Sequence, residues 1–243
     1  MRYAFIADIH GNLEALLAVL ADLDRQQISV ILCLGDIVGY GADPIRCIAV
    51  VRERAMHVVA GNHDYAAAGK ISCDEFNEFA RAAIAWTRRH LSEEEKDWLR
   101  QLPLIVHLDD FSMVHSSLHR PEEFNYIESA HDAAECFREM QKPLCFVGHS
   151  HVPVVFFDSG KSPIPPYRLD LVNPVPVEGR MIVNVGSVGQ PRDEDPRAAY
   201  CIYDSDASTV EIRRVTYEIE AAADKVRAAG LPELLAFRLR LGR

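Results

Sequence analysis

Nowhere in the 243 residues does an uninterrupted apolar run approach the ~18 needed to span a bilayer as a helix, so no membrane-spanning segment is expected. Basic residues are scarce relative to acids, 26 Lys and Arg against 36 Asp and Glu. The net charge of −10 argues against a broad electrostatic grip on nucleic acid, although a local basic pocket stays open. An acidic chain can also offset part of its charge by binding cations. No Cys-x-x-Cys pair occurs among Cys33, Cys47, Cys73, Cys136, Cys145 and Cys201, whose apolar or helical settings predict buried free thiols in a reducing compartment. Neither an internal repeat nor a separating linker is present, so residues 1–243 read as one domain, long enough to bury a substantial core. With 49% apolar and 26% charged residues the chain is neither collagenous nor natively disordered. The N-terminal stretch reaches Asp8 before a signal-peptide core could form, which gives a cytoplasmic expectation.

What is present begins with alternating periods. Tyr3 to Ala7, Val30 to Leu34 and His57 to Ala60 read as buried strands, and between them run a helix capped by Asn12 and another opened by Asp43-Pro44. That order predicts a parallel sheet. Residues 74–102 are helical, with capping-box spacing at Ser92, and form a possible cap over a cleft. Leu104 to Leu108 and Ser112 to His115 read as a hairpin or adjacent strands, followed by a helix over 129–140 and a strand from Leu144 to Val147. Further strands are expected at Val154 to Phe157, Arg168 to Leu171, Met181 to Val185, Ala199 to Tyr203 and Thr209 to Val215. A proline-rich excursion (163–176) interrupts them, and C-terminal helices fill about 218–241, split by Gly230.

Ten histidines stand out because several lie beside Asp, Asn and Gly at strand ends. Four segments end a strand with a metal-capable residue: Asp8-Ile9-His10, Gly35-Asp36, Gly61-Asn62-His63-Asp64 and Gly148-His149-Ser150-His151. His115 ends a fifth. Ligands collect at the carboxyl ends of strands in open α/β sheets, so these distant segments can converge. Asp-x-His and His-x-His place two side chains on one side of an extended chain, which suits chelation. Each piece alone has a plainer reading as a turn or a packed histidine; the ordered set does not.

That set resembles the signature of the calcineurin-like metallophosphoesterases: Asp-x-His, Gly-Asp, Gly-Asn-His-(Asp/Glu), a later His, and Gly-His-x-His. The resemblance implies an α/β fold built as a four-layer α-β-β-α sandwich. It also implies two divalent cations (Mn, Fe, Zn, Ni or Co, with Mn the first choice in vitro), the first held by Asp8, His10 and His151, the second by Asn62, His115 and His149, with Asp36 bridging. Those donors are hard to borderline, as such ions require. A metal-bridging hydroxide would attack phosphorus, and His63 would donate a proton to the leaving oxygen or stabilise its charge. Asp64 is a candidate to orient its loop.

Departures from the family narrow the substrate. The protein phosphatases carry Gly-Asp-x-x-Asp-Arg-Gly, where this chain has Gly35-Asp36-Ile37-Val38-Gly39-Tyr40-Gly41. Gly39 removes the acid that would pair with the histidine, and Tyr40 removes an arginine that would fork onto phosphate, as it would also in dinucleoside tetraphosphatases. The chain is more similar to the small prokaryotic phosphodiesterases of the superfamily, so a small or nucleotide-derived phosphodiester is expected. A second glycine-rich stretch, Asn184 to Asp193, reads either as a turn or as a substrate-facing wall with Arg192 or Asn184 touching phosphate; His119 and Arg120 could also reach the cleft. A catalytically silent protein-binding scaffold and a nuclease on short oligonucleotides are the alternatives, the first opposed by an intact set of ligand positions and His63.

Overall fold

The computed structural model describes residues 1–158 and 173–243. In chain order the elements are β1 (Arg2–Ile6), α1 (Leu13–Arg25), β2 (Val30–Cys33), α2 (Pro44–Arg54), β3 (Ala55–Val58), α3 (Asn62–Ala67), α4 (Glu78–His90), α5 (Glu93–Gln101), β4 (Ile105–His107), β5 (Phe111–Val114), a 3-10 turn (Pro121–Glu123), α6 (Ala130–Glu139), β6 (Leu144–Val147), β7 (Val154–Asp158), β8 (Val175–Pro176), β9 (Arg180–Asn184), β10 (Ala198–Asp204), β11 (Thr209–Val215), α7 (Ile219–Ala228) and α8 (Glu233–Leu241). Local chemistry sets the helix starts. Asn12 accepts from the Ala15 N–H, Asn77 from Ala80, and Ser92 and Ser129 form capping boxes with Glu95 and Asp132. The expected strand Arg168 to Leu171 and most of the proline-rich stretch lie outside the described residues.

Two mixed sheets result, one ordered β3-β2-β1-β10-β11-β8 and the other β4-β5-β6-β9-β7. The parallel run expected for the first sixty residues is β1-β2-β3, but β10 joins β1 antiparallel, from nearly two hundred residues away. In the second sheet β5, β6 and β9 are parallel, and the edges β4 and β7 antiparallel.

Alternation along the strands produces the layers. Phe5 and Ala7 of the first sheet face inward, onto Phe111, Met113, Phe146 and Val183 of the second, with Phe5 stacked on Phe146 at 3.7 Å between ring centroids. Ala4, Ile6 and Ile31 face the other way, onto Leu16, Val19 and Leu23 of α1 and Ile48 and Val51 of α2. On the far side Cys145, Val147 and Ile182 pack against Ala133, Cys136 and Phe137 of α6. These are the four layers α-β-β-α. Helices α7 and α8 pack with Ala80 and Ala83 of α4 around Tyr40, and the cleft is bordered by the segment before α4 and by Ala80 in its first turn. All six cysteines are free, five of them buried and Cys73 partly so.

Candidate metal centre

Because β1, β2, β5 and β6 run parallel within their sheets, their carboxyl ends deliver the expected ligands to one place. Asp8 and His10 follow β1, Asp36 follows β2, His115 follows β5, and His149 and His151 follow β6. Asn62 comes from the first residue of α3, where a simple turn was the plainer expectation.

The chelating geometry has a different origin from the extended alternation expected. Asp8, His10, Asp36, His149 and His151 all occupy the left-handed region, at φ of 53°, 49°, 51°, 69° and 61°. Such conformations cost roughly 1–3 kcal/mol and persist only where surroundings over-determine them. Here they do: Asp8 N–H donates to Gly35 O (3.0 Å), His10 N–H to Asp36 O (2.9 Å), and His149 N–H to Asp8 Oδ2 (3.0 Å).

Three groups of donors result: Asp8 with His10 and His151, Asp36 with His115 and His149, and His10 with Asp36 and His63, which links the other two. Asp36 Oδ2 stands 3.6 Å from His10 Nε2 and 3.4 Å from His115 Nε2, between the first two groups. His10 Nδ1 is bonded to Val38 O (3.1 Å) and His151 Nδ1 to Gln190 O (2.6 Å), so each Nδ1 carries the hydrogen. Their Nε2 atoms then present lone pairs to each other at 3.1 Å, an arrangement that one cation coordinated by both would satisfy. His115 is held likewise by Leu34 O (2.7 Å), and its Nε2 lies 3.1 Å from His149 Nδ1. Asp8 Oδ1 and Asn62 Oδ1 are buried with no hydrogen-bond partner. Orphaned oxygens and confronted imidazole lone pairs, in an all-O/N donor set, fit two divalent cations.

Three of the four imidazoles are neutral, as ligands must be, whereas Asp8 and His115 favour a proton that a bound cation would displace. Burial drives His10, His149 and His151 well below the usual imidazole range, keeping them as neutral ligands. Burial pushes Asp8 up to about 7. Burial also opposes charge on Asp36, but His115 and His63 outweigh it and hold that carboxyl well below its ordinary value. His115, despite burial, is raised to about 9 by Asp36 and Asp8.

His63 is 4% exposed and packs edge-on against His10 and Phe76 and beside Tyr40; its Nδ1 is buried and unpartnered, and burial lowers its pKa to about 4. Gly39, at φ +93°, makes room for it: a Cβ there would sit 2.4 Å from His63 Nδ1. Gly61 does the same for Asp36, whose Oδ1 would lie 2.0 Å from a Cβ. Asp64 ties these loops together, accepting from Ile37 N–H (2.9 Å), Val38 N–H (3.3 Å) and Gly61 N–H (3.0 Å). It therefore orients the loops that carry Asp36 and Asn62.

The stretch 184–193 is mainly a buttress. Ser187 Oγ and the Gly189 N–H both bond Asp8 O, at 2.8 and 2.9 Å. The Asn184 amide is taken up internally: it donates to Gly148 O (2.7 Å) and Ser150 Oγ (2.9 Å) and accepts from Gly186 N–H, bracing the His149 loop. His119 is likewise drawn elsewhere, to Glu135 and Glu139 of α6 at 3.6 and 3.7 Å. Arg120 is exposed and paired with Glu123. Arg192 does reach the centre. Its guanidinium lies 5.8 Å from the Tyr40 ring centroid and donates to Gln190 Oε1 (2.9 Å), and its charge helps keep His10, His63, His149 and His151 neutral. A cleft of about 810 Å³ opens over Asn62, His63 and His149. Tyr126, Phe76 and the loops carrying them line it, with no motif in the sequence to mark them.

Residues 1–208 match the calcineurin-like phosphoesterase superfamily domain, and the chain belongs to that family. It is 40% identical to an uncharacterized protein of Methanocaldococcus jannaschii over 99% of this chain and 98% of that one. The crystal structure of a metallophosphoesterase from Sphaerobacter thermophilus superposes with a TM-score of 0.90 at 44% identity, covering 100% of this chain and 99% of that one. A symmetrical bis(5′-nucleosyl)-tetraphosphatase from Actinobacillus succinogenes is 30% identical over 126 residues, 49% of this chain and 45% of its own length. This is a metallophosphoesterase with buried His/Asp clusters, and among the described residues no helix is long and apolar enough to cross a membrane.

Proposed function

We propose that this protein is a two-metal phosphodiesterase acting on small or nucleotide-derived diesters. The observation that carries the reading is the pair of donor clusters meeting at Asp36, with His10 and His151 Nε2 confronted at 3.1 Å. Asp8, His10 and His151 would hold one cation, Asn62, His115 and His149 the other, and Asp36 both. When bound, such cations supply Lewis acidity toward water and the phosphoryl oxygens. Arg192 binds a non-bridging phosphoryl oxygen, supplying the guanidinium that the loop with Tyr40 lacks. His63, fixed by Gly39, Tyr40 and Phe76, donates a proton or a hydrogen bond to the leaving oxygen. Manganese is the ion of choice for assay, and free thiols suit a reducing, cytoplasmic setting.

The test uses metal-free protein with bis-p-nitrophenyl phosphate and p-nitrophenyl phosphate, before and after adding manganese. Diester turnover restored by metal is expected, with His63→Ala keeping two metals per chain while losing most turnover and Asp36→Ala losing metal itself. Two bound metals with no turnover of either ester would favour a silent scaffold; cleavage of a short single-stranded oligonucleotide in preference to the small diester would favour a nuclease. The partial likeness to a tetraphosphatase favours a nucleoside polyphosphate as the second reading. Against it stand four carboxylates, Asp74, Glu75, Glu122 and Glu123, along the cleft that such a polyanion would enter.

A further inference from the structure

Away from the metal ligands the cleft is walled by two segments, 71–80, a loop that runs into the first turn of α4, and 122–126 around the end of the 3-10 turn. They contribute Asp74, Glu75, Glu122 and Glu123, and no lysine or arginine is among the lining residues. Asp74 accepts from Ser72 Oγ (2.6 Å), and Glu123 is taken up by Arg120 (3.2 Å) and Asn125 (2.8 Å). Glu75 and Glu122 are exposed and have no hydrogen-bond or ion-pair partner among the described residues. Between these acids and the catalytic end lie two aromatic rings. Phe76 meets His63 edge-on at 5.0 Å, and Tyr126, 47% exposed, stacks on His149 at 4.0 Å. His63, buried with its Nδ1 unpartnered, lines the same cleft.

With cations bound the cleft would be positive at its catalytic end, where Arg192 stands over Tyr40, while the lining beyond is negative and aromatic. A second phosphate placed there meets like charge, and a neutral arm gains nothing from the carboxylates. An ammonium group gains from both the carboxylates and the ring faces. We infer that the substrate is a zwitterionic phosphodiester, one ester arm of which ends in an ammonium group seated between segments 71–80 and 122–126 beside Glu75, Glu122 and Tyr126. The inference rests on the phosphodiesterase reading and narrows it. A cleft of about 810 Å³ falls within the range of small-molecule sites.

Three diesters with the same leaving group test it on the manganese-loaded enzyme: p-nitrophenyl phosphocholine, its neutral isostere p-nitrophenyl 3,3-dimethylbutyl phosphate, and the p-nitrophenyl ester of thymidine 5′-phosphate. The phosphocholine ester should exceed the isostere in kcat/KM on the order of tenfold, the size of two exposed ion pairs plus one cation–π contact. In E75Q/E122Q that ratio should fall toward unity, and in the wild type rising salt should shrink it. Equal turnover of ester and isostere, a ratio that survives the double substitution, or preference for the thymidine ester overturns the inference while leaving the phosphodiesterase reading intact. No turnover of any diester with two metals bound per chain overturns both.

Discussion

Replacing Gly39 by alanine should separate catalysis from metal binding. The perturbation has two parts, both readable from the structure. A side chain at φ +93° is strained, which costs roughly 1–3 kcal/mol and, in a domain of this size, lowers Tm by about 2–12 °C. The new Cβ would lie 2.4 Å from His63 Nδ1, so the ring must retreat about 1 Å to reach ordinary contact at 3.4 Å. A displacement of that size at a reacting group costs on the order of a hundredfold in turnover. None of the seven proposed metal ligands is among the three nearest atoms to that Cβ, all of which belong to His63. The expected result is therefore a folded protein with two metals per chain and kcat for bis-p-nitrophenyl phosphate reduced about a hundredfold. Gly39→Asp, which restores the acid found in the protein phosphatases, should be no better, because its own Cβ meets the same ring before the carboxylate can pair with Nδ1. A folded Gly39→Ala protein with near-native kcat would refute the placement of His63, and loss of metal in parallel with turnover would refute its separation from the ligand set.

Three further outcomes follow from named contacts. Asp64→Asn keeps one acceptor but turns an amide donor toward another, leaving a backbone N–H of residue 37, 38 or 61 unsatisfied; about 1–3 kcal/mol of stability should be lost in denaturant titrations, with weaker metal retention by the loops that carry Asp36 and Asn62. Arg214→Met removes the buried partner of Asp193, next to Arg192, and should lower stability by roughly 3–5 kcal/mol and raise KM for the diester, measured by melting and steady-state kinetics. Burial opposes charge on Asp22, but the Tyr200 hydroxyl (2.6 Å), Arg25 and Arg213 outweigh it, so the carboxyl is held below its ordinary value of 3.8. Its contribution is complete above that value and is lost as pH falls through the lower folded one. Tyr200→Phe should therefore cost about 1 kcal/mol at neutral pH, and the gap to wild type should narrow in strong acid.

The metal centre was legible in the sequence because its information is local and chemical. The ligand segments follow apolar strands, His10, Asp36, Asn62 and His149 adjoin a glycine, and a parallel arrangement sends those strand ends to one edge. What holds the ligands was not legible, because it is backbone: the carbonyls of Leu34, Val38 and Gln190 fix three imidazoles, and a carbonyl leaves no mark on residue type. The same limit explains Asn184 and His119. Both looked available by type and position, but Asn184 spends its amide on Gly148, Ser150 and Gly186, and His119 turns to two glutamates of α6 that lie 16 and 20 residues further along the chain. The layered architecture lay beyond local periodicity for a related reason. Strands buried on both faces, such as β1, show no alternation of polar and apolar residues, so nothing in Arg2–Ile6 announces that β10 will pair beside it. The cleft walls are the extreme case. Glu75, Phe76, Glu122 and Tyr126 come from two loops nearly fifty residues apart and acquire meaning only when folding sets them along one cavity. Catalytic chemistry, which needs particular atoms at fixed positions, therefore leaves a motif in the sequence, whereas substrate preference, which needs only the right charge and shape along a surface, leaves none and has to be read from the cavity.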